Sequence, residues 1–126
     1  MTTVKSIMHS ATIIDPDTTV FEVAKMMRDK SIGSVLLNLG ESNYGIVTER
    51  DMVFTVTAGN MDAKVVKARD VMTKLQYTVD SNASLAEATE IFNEHHIRRL
   101  PVMEGGEIIG VVTSRDVAKA SASARA

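Results

Sequence analysis

Apolar positions along the chain fall into short runs separated by polar turns, and their spacing switches between the strand and helix periods. Residues 12–14 are a short, largely β-branched run. Asp15-Pro16-Asp17 then makes a turn, after which Val20, Val23, Ala24 and Met27 recur at the spacing of a helix with one apolar face. Val35-Leu36-Leu37 and residues 44–47 read as two strands joined by the turn residues 40–43, and Thr48 starts a helix that ends near Gly59. The same succession then returns. It gives a strand at 77–79, a helix over about 83–95, strands near 100–103 and 107–112 joined by Glu104-Gly105-Gly106, and a helix from Ser114. Each half therefore predicts a strand, helix, strand, strand, helix unit.

The two halves are copies. A shift of 65 residues superposes 14–53 on 79–118 without a gap, and the nine identities among those forty positions are concentrated rather than scattered. Gly45-Ile46-Val47-Thr48-Glu49-Arg50-Asp51 returns as Gly110-Val111-Val112-Thr113-Ser114-Arg115-Asp116, and Asp15, Glu22, Ile32 and Gly40 also recur. Upstream, with one residue inserted, Lys5-Ser6-Ile7-Met8 matches Arg69-Asp70-Val71-Met72. The expected organisation is a first repeat at 4–58, a linker at 59–67, a second repeat at 68–120 and a small, polar, frayed tail at 121–126. One βαββα unit has a sheet too small to enclose a core alone. The predicted fold is therefore α/β (α+β), with two units packed about a pseudo-twofold axis and two related clefts between them.

Composition narrows the chemistry. At 126 residues, 44% hydrophobic and 24% charged, the chain has the make-up of one globular domain. Its longest apolar runs fall far short of the roughly 20 residues that span a bilayer. No basic stretch followed by an apolar segment opens it, so a cytoplasmic location is expected. The absence of cysteine removes disulfides, zinc-thiolate sites and thiol catalysis together. A formal charge of −2 and five aromatic residues speak against nucleic acid as a partner, Lys64, Lys67, Arg69, Arg98 and Arg99 notwithstanding. His9, His95 and His96 are the only imidazoles, and no nucleophile–base pair is evident, so no catalysis is expected. Neighbouring His95 and His96 diverge at a helix end and read as polar helix-end residues rather than metal ligands.

The repeated heptad places Thr48/Asp51 and Thr113/Asp116 at strand-to-helix junctions. A hydroxyl with a carboxylate three residues on is a capping-box pattern, and helix capping alone accounts for it. The same junction also offers free N–H groups and a positive dipole end to an anion, a Thr hydroxyl to phosphate, and a carboxylate to the two hydroxyls of a ribose. Positive charge is supplied by Arg98 and Arg99, either as phosphate ligands facing opposite sides or as a solvated or ion-paired couple. The matching stretch of the first unit, Ile32-Gly33-Ser34-Val35, has no charge, so the two clefts are chemically unequal. Met26, Met27, Met52, Met72 and Met103 lie in apolar-patterned segments and read as adaptable core or dimer filling.

Taken together, Ser6-Ile7-Met8 and Asp70-Val71-Met72, Ile32-Gly33-Ser34-Val35 and Ile97-Arg98-Arg99-Leu100-Pro101-Val102, and the two Gly-x-x-Thr-x-x-Asp heptads resemble the cystathionine-β-synthase (CBS) domain family, over residues 4 to about 119. The resemblance implies a regulatory, energy-sensing module that binds AMP, ADP or ATP, with S-adenosylmethionine a further ligand of the family, and that pairs into a disc-shaped homodimer. It implies that Thr48 and Thr113 meet phosphate or nearby groups and that Asp51 and Asp116 hold ribose, with Arg50, Ser114 and Arg115 alongside. It further implies base pockets lined by Ile13, Ile14, Tyr77, Thr78, Val79, Ile32 and Ile97, next to Pro101. Arg99 would reach the ligand anchored at Asp51, and Arg98 the other cleft. A pair without an attached effector domain would signal to a separate, unidentified protein. The competing reading is a dimeric interaction scaffold that needs no ligand, its heptads serving only as caps.

Overall fold

The computed structural model describes residues 2–125, which form two compact units, one of residues 12–75 and one of residues 2–11 with 76–125. In the unit spanning 12–75, β1 (Ile13–Ile14) lies parallel to β2 (Ser34–Gly40), and β3 (Asn43–Thr48) and β4 (Thr73–Lys74) continue the sheet antiparallel in the order β1-β2-β3-β4. Helix α2 (Val20–Lys30) links β1 to β2. The Thr19 hydroxyl caps its start by accepting from the Glu22 N–H, and Ser31 ends it in the left-handed region at φ 53°. Val20, Val23 and Met27 bury the apolar stripe of that helix against Val35, Leu37 and Val47 of the sheet. Val35, Leu36 and Leu37 are all buried, as a strand covered on both faces requires.

The other unit repeats this plan with β5 (Val79–Asp80), α5 (Leu85–His95), β6 (Arg99–Glu104), β7 (Glu107–Thr113) and α6 (Ser114–Arg125), its sheet running β5-β6-β7. Ser84 and Glu87 form a reciprocal capping box on α5, and His96 ends that helix left-handed at φ 55°. Val79, Ala88, Phe92, Leu100, Val102, Val112 and Val117 form the core of this unit. Helix α6 is continuous to Arg125, beyond the point where the sequence suggests a tail, in keeping with its run of helix-favouring alanines. Ala126 lies outside the described residues.

Two features depart from the sequence expectations. The helix after Thr48 is α-helical only at α3 (Glu49–Asp51) and becomes a π-helix over Met52–Thr57, where β-branched Val53, Thr55, Val56 and Thr57 crowd the preceding turn. The opening segments are also exchanged. Helix α1 (Val4–Ile7), from the head of the first repeat, packs with the core of the second, and α4 (Ala68–Val71), from the head of the second, packs with the core of the first. The recurrent heptad glycines make this exchange possible. A Cβ on Gly45 would run into the Met72 sulfur, and one on Gly110 would run into the Met8 sulfur and come within 2.8 Å of the His9 carbonyl. Motif glycine and motif methionine are thus two halves of one contact, each glycine meeting the methionine of the other repeat.

Candidate functional site

Strand pairing collects the predicted site residues at one end of each sheet. In the unit spanning 12–75, Ser34 pairs with Thr48, the Leu36 N–H donates to the Thr12 carbonyl, and the Glu49 N–H donates to the Gly33 carbonyl. The start of β1, residues 32–34 and the heptad junction therefore lie side by side. In the other unit Arg99 pairs with Thr113, the Ser114 N–H donates to the Arg98 carbonyl at 2.9 Å, and β5 runs parallel along β6. This gathers residues 77–79, 97–99 and 113–116 in the corresponding place.

Both heptads close a complete capping box. The Asp51 Oδ2 accepts from the Thr48 N–H at 2.8 Å and from the Thr48 hydroxyl at 3.1 Å, while that hydroxyl accepts from the Asp51 N–H at 3.4 Å. In the second heptad the Thr113 N–H and hydroxyl donate to the Asp116 Oδ2 at 3.3 and 2.7 Å, and the Asp116 N–H returns to the hydroxyl at 3.1 Å. Each box uses one carboxylate oxygen only. Oδ1 of each aspartate has no hydrogen-bond partner among the described residues, and neither do the backbone N–H groups of Arg50 and Arg115. Capping and ligand binding therefore draw on different atoms. Each threonine hydroxyl has its proton committed to the aspartate, so the donors open to an anion are these backbone groups rather than the hydroxyls.

The surroundings of the two boxes differ. His9 directly follows the Ser6-Ile7-Met8 motif and is held by reciprocal backbone hydrogen bonds to Val111. Its Nε2 lies 3.0 Å from the Asp116 Oδ2 and adds a third donor to that oxygen. Burial acts against the charged Asp116 carboxylate, but the hydrogen bonds from the Thr113 hydroxyl and the His9 imidazole outweigh it and hold its pKa below the usual carboxylate range. Thr73 takes the corresponding position in the other unit, paired with Ile46, and makes no bond to Asp51. Arg98 and Arg99 are exposed and have no carboxylate partner among the described residues, whereas Arg50 stacks over the Phe54 ring at 4.4 Å.

The remaining predicted residues divide by burial. Ile13, Thr78 and Arg115 are exposed, and Ile32, Ile97 and Ser114 are half-buried. Ile14 and Val79 are core residues and Pro101 is buried, so their side chains are committed to packing. Tyr77 stacks on His95 with ring centroids 3.9 Å apart, and His96 is the α5 cap, so the two adjacent histidines serve different ends. Sequence reasoning missed the His9–Asp116 contact. Its one visible signal is that His9 follows the methionine of the opening motif where the other copy has threonine.

The CBS domain family model matches this chain twice, at residues 4–57 and 68–123. The chain belongs to the CBS domain family. An uncharacterized protein from Methanopyrus kandleri is 38% identical over 104 residues, covering 81% of this chain, which in turn spans only 53% of that protein. Among solved structures, a candidate signal-transduction protein with CBS domains from Burkholderia ambifaria superposes with a TM-score of 0.83 at 29% identity, covering 99% of this chain and 97% of that one. CBSX2 in complex with AMP shares the fold, with a TM-score of 0.81 at 22% identity over the whole of both chains. The CBS pair is a regulatory module, and no helix among the described residues is long and apolar enough to cross a membrane.

Proposed function

We propose that this CBS protein is a sensor that binds an adenosine nucleotide of the AMP, ADP or ATP class at the sheet ends carrying its capping boxes, and that a separate protein chain reads the bound state. One observation carries this reading. In both units a capped aspartate keeps an unengaged carboxylate oxygen beside an unpaired helix N–H, an acceptor for a ribose hydroxyl next to a donor for phosphate. Arg98 and Arg99, exposed and without ion-pair partners among the described residues, add fork-shaped donors for phosphate. CBSX2, solved with AMP, shares this fold, which supports the nucleotide reading.

The test is calorimetric titration of the protein with AMP, ADP, ATP and S-adenosylmethionine, repeated on Asp51→Ala and Asp116→Ala. Hydrogen bonds to a charged group are worth about 1.5–3 kcal/mol, so each variant is expected to weaken its own site by roughly tenfold or more. A folded protein that binds none of the four ligands overturns the sensor reading and leaves an interaction scaffold.

A further inference from the structure

A hollow of about 280 Å³ lies beside the Asp116 capping box, lined by Ile7 and His9 of the opening segment and by Asp116, Lys119, Ala120 and Ser123 of α6. The α6 positions recur at helical spacing, so the hollow follows one face of that helix for two turns toward its C-terminus. It therefore runs away from the helix start and the unpaired Arg115 N–H. Every lining residue belongs to the same compact unit.

Three polar groups in this hollow are unengaged among the described residues. Asp116 keeps its Oδ1 open, Lys119 has no carboxylate within ion-pair distance, and the Ser123 hydroxyl makes no hydrogen bond. Asp116 and Lys119 stand one turn apart, a spacing at which carboxylate and ammonium pair readily, as Glu22 and Lys25 do on α2. Here His9 holds the carboxylate instead, and the ammonium is left alone. Half-buried Ile7 and Ala120 supply apolar walls. The other repeat has nothing of the kind. The 65-residue shift maps Lys119, Ala120 and Ser123 onto Phe54, Thr55 and Ala58, and Thr73 stands where this unit has His9. Helix capping, which both repeats share, does not account for an ammonium, an imidazole and a hydroxyl collected at one end only.

We propose that this hollow binds a free α-amino acid with a small aliphatic side chain. The ammonium of the ligand meets the Asp116 Oδ1, its carboxylate meets the Lys119 ammonium and the Ser123 hydroxyl, and its side chain lies against Ile7 and Ala120. One fixed negative and one fixed positive group match the two charges of a zwitterion. A simple anion would face the Asp116 carboxylate, and a simple amine would face the Lys119 ammonium. The volume lies just under the range of about 300–1,000 Å³ typical of pockets for larger ligands, as a molecule of this size requires. The inference stands apart from the nucleotide reading, although the two ligands draw on the same Asp116 oxygen and so exclude one another at that end.

The test is a nitrogen-15 NMR titration, without nucleotide, using L-valine and two probes that each keep one of its charges, isovalerate and isobutylamine. Saturable shifts at residues 7–9 and 116–123 are expected with L-valine, and at least tenfold weaker binding of either single-charge probe. Lys119→Met, at an exposed position where folding is not at stake, is expected to weaken L-valine about tenfold, and Ser123→Ala about threefold. No shift at these residues with millimolar L-valine would overturn the proposal. So would isovalerate binding as well as L-valine, which would show an anion site only, or L-valine binding unchanged in Lys119→Met.

Discussion

The Asp51 and Asp116 ends are two versions of one device. Both close the same capping box with the same atoms, yet the Asp116 oxygen accepts three donors and the Asp51 oxygen two. Arg98 and Arg99 lie at the start of the strand beside one box, and Gly33 and Ser34 at the start of the strand beside the other. Backbone chemistry needed to end a strand and start a helix survived duplication unchanged, while the side chains around it diverged. Conformation constrains the box itself, and only the ligand or the neighbours constrain what surrounds it.

The sharpest way to break this equivalence is at the heptad glycines. Gly110→Ala drives a methyl group into both the Met8 side chain and the His9 backbone, whereas Gly45→Ala meets only the Met72 side chain, which can move. Urea unfolding is expected to show a loss of about 2–3 kcal/mol for Gly110→Ala and nearer 1 kcal/mol for Gly45→Ala. Equal losses would mean that the two strand–helix contacts are not as different as their geometry.

His9→Ala tests the third donor. It leaves the Asp116 Oδ2 with the two Thr113 donors and concentrates more of the carboxylate charge on the open Oδ1, so calorimetry is expected to show nucleotide binding at that end strengthened about three- to fivefold, with no change at the Asp51 end. Unchanged affinity would mean that the His9 contact does not influence the open Oδ1.

The low pKa of Asp116 predicts a pH effect of defined sign. Its folded-state value lies below that of the unfolded chain, so its contribution to stability is fully present above the ordinary carboxylate range and is lost as pH falls through the lowered value. Asp116→Asn is expected to be less stable at neutral pH and to lose less on acidification. Parallel stability curves for wild type and variant would contradict this.

The smallest effects belong to the helix ends, where the units remain alike. Ser31 and His96 both hold left-handed backbone without being glycine. Ser31→Gly and His96→Gly are each expected to raise the unfolding free energy by up to about 1 kcal/mol and to add when combined, the sites being far apart in sequence and in different units.

The sequence alone carried the repeat, the element order, the turns and both capping boxes. These depend on residues within a few positions of one another, so periodicity and local hydrogen bonding are enough to read them. It also placed the two heptads at strand-to-helix junctions, because such junctions announce themselves by glycine, β-branched residues and a capping pair. Tertiary structure alone decided which glycine meets which methionine, that the opening segment of each repeat packs with the core of the other, and that His9 rests on Asp116 across more than a hundred residues. It also decided that Ile14 and Val79 serve the core rather than a surface. Contacts of that range leave no periodic trace in the chain. They arise only when strand pairing brings distant segments to one sheet edge, where the fit between side chains selects the partner.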